Sequence, residues 1–355
     1  MRKSFEFCAL FLITAFSMSL SLPFTPTETN TILSSFKNLS PLSPTQSSSL
    51  ETIIQDTAHT NYKEWQQTSV DADKLLLALT TPNFDAVFNR VTTEGNYNGA
   101  LQNKPPHPWA VLVTGCNGIR KTTALHQPWF GEALAASLKS ADPTAVPTGA
   151  NSFYRQLDHI IASLCNEQFK ELYQNQMQMP TQTVASYSAS KAHIFSRYRK
   201  LSEMVGVSFL KKAIGDGVNV LAETSGKDKA SWRYIDEFFP PSTKYKKLAI
   251  HFSINDLSFA KESVDERMKK EIRAGIGVLE NNGSAKDIVN VNLGGPYGSE
   301  VLEGVERESE KVWGEVKNDK EFCENGWEFA ELEIIGDSDS GNWKCRVGEK
   351  EWAFV

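Results

Sequence analysis

One segment constrains this chain more than any other. Trp109, Ala110, Val111, Leu112, Val113 and Thr114 form a short apolar run, with Pro105, Pro106 and Pro108 on one side and Gly115 on the other. Bounded by chain breakers and too short for a buried helix, the run reads as a buried strand. It passes directly into Gly115-Cys116-Asn117-Gly118-Ile119-Arg120-Lys121-Thr122, after which a helix is predicted over residues 121–138. A fully apolar strand that feeds a helix belongs to a parallel sheet with both faces covered.

The segment also carries a chemistry. In the pattern G-x-x-x-x-G-K-[ST], glycines let a tight turn aim backbone N–H groups inward at phosphate oxygens, and the helix N-terminus adds its positive end. Lys121 then supplies a point charge to the β- and γ-phosphates, and the Thr122 hydroxyl a ligand to Mg²⁺. Gly115 to Thr122, with Thr123 next in line, therefore read as a P-loop for ATP or GTP. One position departs: the residue before the lysine is Arg120 instead of glycine. A side chain there either crowds the loop or reaches around to a phosphate.

The rest of the chain fits an α/β fold. Helices are predicted over residues 50–67, 70–91, 153–174, 189–214, 228–238 and 257–276. Buried strands are predicted over 218–223 and 247–254. Strands alternating with helices give a three-layer P-loop fold with a parallel sheet. To this the sequence adds an N-terminal helical extension (51–104) before the main domain (105–280). A lid or helix and a small C-terminal hairpin follow (281–355). The loop Gly294-Gly295-Pro296-Tyr297-Gly298 reads as a turn, or as a lid over the nucleotide.

The N-terminus has the layout of a secretory signal peptide over residues 1–22: basic Arg2 and Lys3, an apolar run, then small serines. Entry into the secretory pathway is expected, ending outside the cell or, through a two-part address, in an organelle. Residues 23–50 are rich in Ser, Thr and Pro and read as disordered. With 355 residues, 40% hydrophobic and 23% charged, the chain has ample material for a core. Its net charge of −6 gives no bulk attraction to nucleic acid or an anionic membrane. No stable membrane span is expected. Five cysteines fit no zinc site; Cys323 and Cys345 are either a pair or two free thiols. His159, His193 and His251 show no metal spacing.

The order of segments resembles the zeta-toxin-like P-loop kinases, from about Trp109 to Arg273. The P-loop is followed by Gly149-Ala150-Asn151-Ser152-Phe153-Tyr154-Arg155. Next comes the strand ending in Glu223 and Thr224, then the strand ending at Ile254, then Ser263-Val264-Asp265-Glu266-Arg267-Met268. The resemblance implies a Mg²⁺-dependent kinase of a small molecule. Glu223 and Thr224 would stand beside the P-loop, with Glu223 holding Mg²⁺ through water or a substrate hydroxyl. Arg267 would neutralise the transferring phosphoryl group, with Arg273 a second candidate, and Arg155 would bind substrate or phosphate. Asn151 falls where the family has an aspartate as general base, and an amide cannot take that proton; Asp158, two helical turns on, is the substitute. The P-loop alone also looks like that of the signal-recognition-particle GTPases. Their guanine-reading lysine has no counterpart in Ser253-Ile254-Asn255-Asp256.

Three functions are consistent with these residues: a small-molecule kinase, a nucleotide-binding module without catalysis (motivated by Arg120 and Asn151), and a scaffold that binds no nucleotide.

Overall fold

The computed structural model describes residues 22–57, 62–140, 142, 145–179, 183–337 and 342–355. Seven strands form one sheet in the order β2-β3-β1-β4-β5-β6-β7. They are β1 (Trp109–Thr114), β2 (Ser152–Arg155), β3 (Asn219–Glu223), β4 (Lys246–Ile254), β5 (Trp327–Asp337), β6 (Asn342–Val347) and β7 (Lys350–Ala353). β1 to β5 are all parallel, and β6 and β7 complete one edge antiparallel. This is the α/β three-layer architecture expected.

The sheet separates two apolar cores by the strand period of two. Ala110, Leu112, Phe153, Val220 and Ala222 face one core. Trp109, Val111, Val113, Tyr154 and Leu221 face the other, which also holds Ile119, Ala124 and Leu125 of the glycine loop and its helix. Every residue of β1 is buried, which explains its unbroken apolar sequence.

Several expectations are corrected. Residues 23–50 were expected to be disordered, yet helix α1 (Pro26–Leu39) and helix α2 (Pro44–Thr57) occupy most of that stretch and continue past it. A capping box, Thr25 with Glu28, starts α1. Ile32, Phe36, Leu50 and Ile54 lock both helices into the first core, each no more than 1% exposed. Hydroxyl-rich composition hid a sparse apolar stripe that is buried almost completely. The helix expected over 50–67 is not continuous, since residues 62–64 are not helical; the next is α3 (Trp65–Val87), followed by α4 (Asn89–Glu94) and α5 (Tyr97–Gln102).

The helix predicted over 121–138 is two pieces, α6 (Lys121–Leu125) and α7 (Phe130–Leu138). Residues 153–155, expected to be helical, belong with Ser152 to β2, which precedes α8 (Leu157–Leu164) and α9 (Asn166–Gln178). The stretch 189–214 is α10 (Val184–Arg197) and α11 (Arg199–Asp216), closed by Gly217 in a left-handed conformation. After α12 (Lys229–Asp236) and β4 come α13 (Leu257–Glu280), α14 (Ala285–Val291), α15 (Leu302–Val316) and α16 (Lys320–Glu324). The C-terminal hairpin is no appendage: β5 pairs with β4 over eight residues, from Lys247–Trp327 to Ile254–Ile334. The signal-peptide reading of residues 1–22 lies outside the described residues except for Leu22. No helix among the described residues is long and apolar enough to cross a membrane. Cys323 is exposed and Cys345 buried, and both are free thiols.

Candidate nucleotide site

The carboxyl ends of parallel strands are where open α/β sheets bind ligands. β1 ends there in the loop 115–120, and two glycines make the turn possible. Gly115 has φ +120°, and a Cβ on it would stand 2.2 Å from the Phe252 carbonyl oxygen of β4. Gly118 has φ +85°, and a Cβ there would stand 2.6 Å from Val264 and 2.7 Å from the Ala260 carbonyl on α13. Any other residue at either place meets both strain and a clash. Ile119, fully buried, pins the loop to the second core, and α6 starts at Lys121.

Lys121 is 4% exposed. Its Nζ donates to the carbonyls of Gly115 at 2.9 Å and Cys116 at 2.6 Å, and stands 3.0 Å from Glu223 Oε1. The register that pairs Val113 with Glu223 brings this carboxylate to the loop, and the Thr224 N–H donates to the Val113 carbonyl at 3.0 Å. Glu223 Oε2 accepts a hydrogen bond from the Tyr154 hydroxyl. That hydroxyl is also 3.3 Å from Thr122 Oγ1. The structure thus brings Glu223 together with Lys121 and Thr122, roughly a hundred residues earlier in the chain, and Tyr154 links Glu223 to Thr122. Thr123 is exposed. Burial pushes the Cys116 thiol up to about 11, so it stays protonated and unreactive at neutral pH.

Arg120 neither crowds the loop nor turns into it. It adopts the left-handed backbone that glycine favours, φ 59° and ψ 29°. Its exposed side chain lays the guanidinium 4.9 Å from the Trp343 ring centroid on β6. The conformation of the missing glycine is kept, and the side chain is parked outside.

β2 separates Asn151 from Asp158. Asn151 precedes β2, at the amino end of the sheet. There its Oδ1 accepts from the Thr148 N–H at 2.8 Å, Ser152 Oγ at 2.9 Å and Asn219 Nδ2 at 3.2 Å. Asn151 is therefore a turn-building residue at the end of the sheet opposite the P-loop, which corrects its expected place in the substrate segment. Asp158 follows β2, in the first turn of α8, at the carboxyl end where the loop sits. Burial raises its carboxyl above the ordinary value and the Glu223 charge raises it further, against Lys191, Arg267 and Arg199. Among the described residues nothing hydrogen-bonds the Asp158 carboxylate.

Arg155 is turned away from this cleft. It is 3% exposed and ion-paired with Glu203 at 3.2 Å, which also holds Arg199 at 2.6 Å. Burial works to raise the Glu203 carboxyl, but the guanidiniums of Arg199 and Arg155 outweigh it and leave it lowered. Arg155 instead ties β2 to α11 inside the first core, a correction to its expected contact with substrate.

Arg267 does reach the cleft. Its Nη2 donates to the Gly295 carbonyl at 3.0 Å, while its buried Nε has no partner among the described residues. Arg273, further along α13, is exposed.

Residues 293–299 form a strap beside these groups. A Cβ on Gly295 would stand 3.1 Å from Asn117 Nδ2 and 3.7 Å from Asp158 Oδ2, so the strap runs between loop and carboxylate. Its anchors come from two helices. Ser188 of α10 donates to the Pro296 carbonyl and accepts the Gly298 N–H, each at 2.9 Å. Asp265 of α13 accepts from Ser299 N at 3.1 Å and Oγ at 2.7 Å. The Leu293 N–H donates at 2.7 Å to Glu271, whose buried carboxylate is also held by Lys191 at 2.7 and 2.9 Å. Sequence reasoning missed Tyr154, Lys191, Glu203 and Glu271. The first was hidden by reading 153–174 as helix, the others by lying on helices whose partners are far away in sequence.

The donor set fits a nucleoside triphosphate with Mg²⁺. The glycine cradle would be filled by any Cβ, a buried ammonium stands at its mouth, and the Thr122 hydroxyl and a Glu223 carboxylate oxygen share the Tyr154 hydroxyl as a common partner. Among the described residues no cluster of three or more His, Cys, Asp or Glu side chains could hold a metal by itself, so the cation would share its shell with phosphate oxygens and water.

No family model matches the chain, and no curated protein matches it. Among solved structures it is similar to a chain of the PezAT chromosomal toxin-antitoxin system of Streptococcus pneumoniae, at 15% identity and a TM-score of 0.35, over 75% of this chain and 81% of that one. At that identity and score the likeness bears on no residue of the site.

Proposed function

We propose that this chain is a Mg²⁺-dependent, nucleoside-triphosphate-binding phosphotransferase that acts on a small molecule. The observation that carries the reading is the meeting of Lys121, Thr122 and Glu223 at a glycine cradle on the carboxyl edge of a parallel sheet. Backbone N–H groups of residues 115–122 would hold the phosphates, and Lys121, now spent on two loop carbonyls, would turn to the β- and γ-oxygens. Thr122 and Glu223 would hold Mg²⁺, which supplies charge neutralisation at the transferring phosphoryl group. Asp158, whose raised carboxylate has no hydrogen-bond donor among the described residues, would accept the proton of an acceptor hydroxyl. Arg267 would bring its charge to the phosphoryl oxygens by giving up the Gly295 carbonyl.

Neither departure that motivated a binding-only module puts a side chain into the interior of the loop. Arg120 lies against Trp343, and Asn151 belongs to the far end of the sheet.

Thermal unfolding of the full chain tests this reading, with Mg-ATP, with Mg-GTP, and with each nucleotide in excess EDTA. A nucleotide at a hundred times its dissociation constant adds about 2.7 kcal/mol to stability. A Mg²⁺-dependent rise in the unfolding temperature, absent in Lys121→Ala, is expected. Equal melting curves with and without both nucleotides would remove the reading.

A further inference from the structure

Tyr154 has no part in the P-loop pattern, yet its hydroxyl stands at the centre of the site. The ring is 1% exposed and fixed in the second core, and β2 pairs it with Leu221, two residues before Glu223. The phenol has one proton, and it goes to Glu223 Oε2. The phenol oxygen can then only accept from Thr122, whose Oγ1 is 3.3 Å away. Glu223 Oε1 has its own partner in Lys121, at 3.0 Å. Each carboxylate oxygen is therefore held from a different side, so the plane of the carboxylate is set. The Thr122 proton is drawn toward Tyr154, which leaves the threonine lone pairs free for the loop interior.

We propose that Tyr154 is a positioning residue for the divalent cation: its hydroxyl holds the Thr122 hydroxyl and the Glu223 carboxylate in one row, presetting two oxygens for Mg²⁺. This inference rests on the nucleotide-binding reading above. It concerns the cation only, because among the described residues the Tyr154 hydroxyl bonds Thr122 and Glu223, the two groups assigned to Mg²⁺. Without the phenol oxygen, Thr122 and Glu223 Oε2 lose a common partner, and the cation must order both groups itself.

Tyr154→Phe removes one oxygen and keeps the ring in its packing; the melting temperature without ligand reports that the fold is kept. The full chain and the variant are melted at fixed ATP while Mg²⁺ is titrated from EDTA to excess. The Mg²⁺ concentration giving half the maximal shift is expected to rise about tenfold in Tyr154→Phe, the size of a lost hydrogen bond to a charged group. At saturating Mg²⁺ the apparent ATP affinity is expected to stay within about twofold of the parent's. In a double-mutant cycle with Glu223→Gln, the two effects on the Mg²⁺ midpoint should be less than additive, since one residue acts through the other.

A purely structural tyrosine gives the opposite pattern: a lower melting temperature under every condition with the Mg²⁺ midpoint unchanged. That result, or strict additivity in the cycle, overturns the inference while the nucleotide reading stands. A parent chain that shifts with neither ATP nor GTP overturns both.

Discussion

Arg120 illustrates how a single residue can depart from a motif and keep its geometry. The loop needs a left-handed residue before Lys121, and Arg120 supplies it at φ 59°. For a residue with a Cβ this conformation costs roughly 1–2 kcal/mol, and the guanidinium face on Trp343 returns about 0.5–1 kcal/mol. Arg120→Gly removes both contributions. The expected change in unfolding free energy is therefore within about 1 kcal/mol, read from denaturant melts, with nucleotide-induced stabilisation equal to that of the parent. A large loss of stabilisation by nucleotide would mean that Arg120 reaches the phosphates after all. Glycine 115, Gly118, Lys121 and Thr122 were legible in the sequence because backbone conformation and phosphate chemistry restrict residue type locally. Asp158 and Asn151 were not separable there. Only seven residues apart, they are divided by a four-residue strand, which advances about 3.3 Å per residue and sends one to each end of the sheet.

At the scale of elements, the strap over residues 293–299 is the part whose sequence said least. Glycines and a proline mark a turn, but the partners that fasten it come from α10 and α13. The Ser188 hydroxyl, 3% exposed as a residue, bonds both Pro296 and Gly298. Ser188→Ala leaves that carbonyl and that N–H unsatisfied. Amide hydrogen exchange at Gly298 should then quicken by roughly tenfold, following a loss of about 1–2 kcal/mol of local stability, while the global unfolding temperature falls little. Unchanged exchange at Gly298 would show that Asp265 and Glu271 alone hold the strap. β2 was missed for a related reason: four residues carry too little periodicity to outweigh the helical pattern that follows them. Helix α1 and the first part of α2, before Leu50, were missed because propensity and composition weigh every residue equally. Burial of Ile32, Phe36, Leu50 and Ile54 against α8, α9 and α11 does not.

For the whole molecule, the two cores make acid sensitivity a global property. His159 lies in the first core, 7% exposed, with Nδ1 unpartnered among the described residues. Burial, with Arg90 and Lys191 adding repulsion, lowers it to about 3. The unfolded chain takes up this proton near 6.5 and the folded chain only near 3, so stability falls as pH drops through that window. The slope from this one group is at most about 1.4 kcal/mol per pH unit. Denaturant melts from pH 7 to pH 4 should show His159→Leu losing less stability than the parent over that range. Parallel curves would mean that His159 is protonated within the fold. Truncation has global consequences too: a cut at Leu50 falls inside α2 and strips the first core of α1, so experiments on the site belong on the full chain.

The sequence by itself determined β1, the glycine loop, the helix after it and the alternation that makes a parallel sheet. Each of these follows from short-range rules, namely which residues tolerate φ > 0, which can be buried on both faces and which can grip a phosphate. The tertiary structure decided which distant residues complete the site. Tyr154 and Glu223 reach Lys121 and Thr122 only because β2, β3 and β1 lie side by side in parallel register. Likewise Arg155 is claimed by Glu203 inside the core, whereas Arg267 faces the cleft and donates to the Gly295 carbonyl. Strand order and long-range register depend on how two cores fill at once, and no local pattern in the chain encodes that.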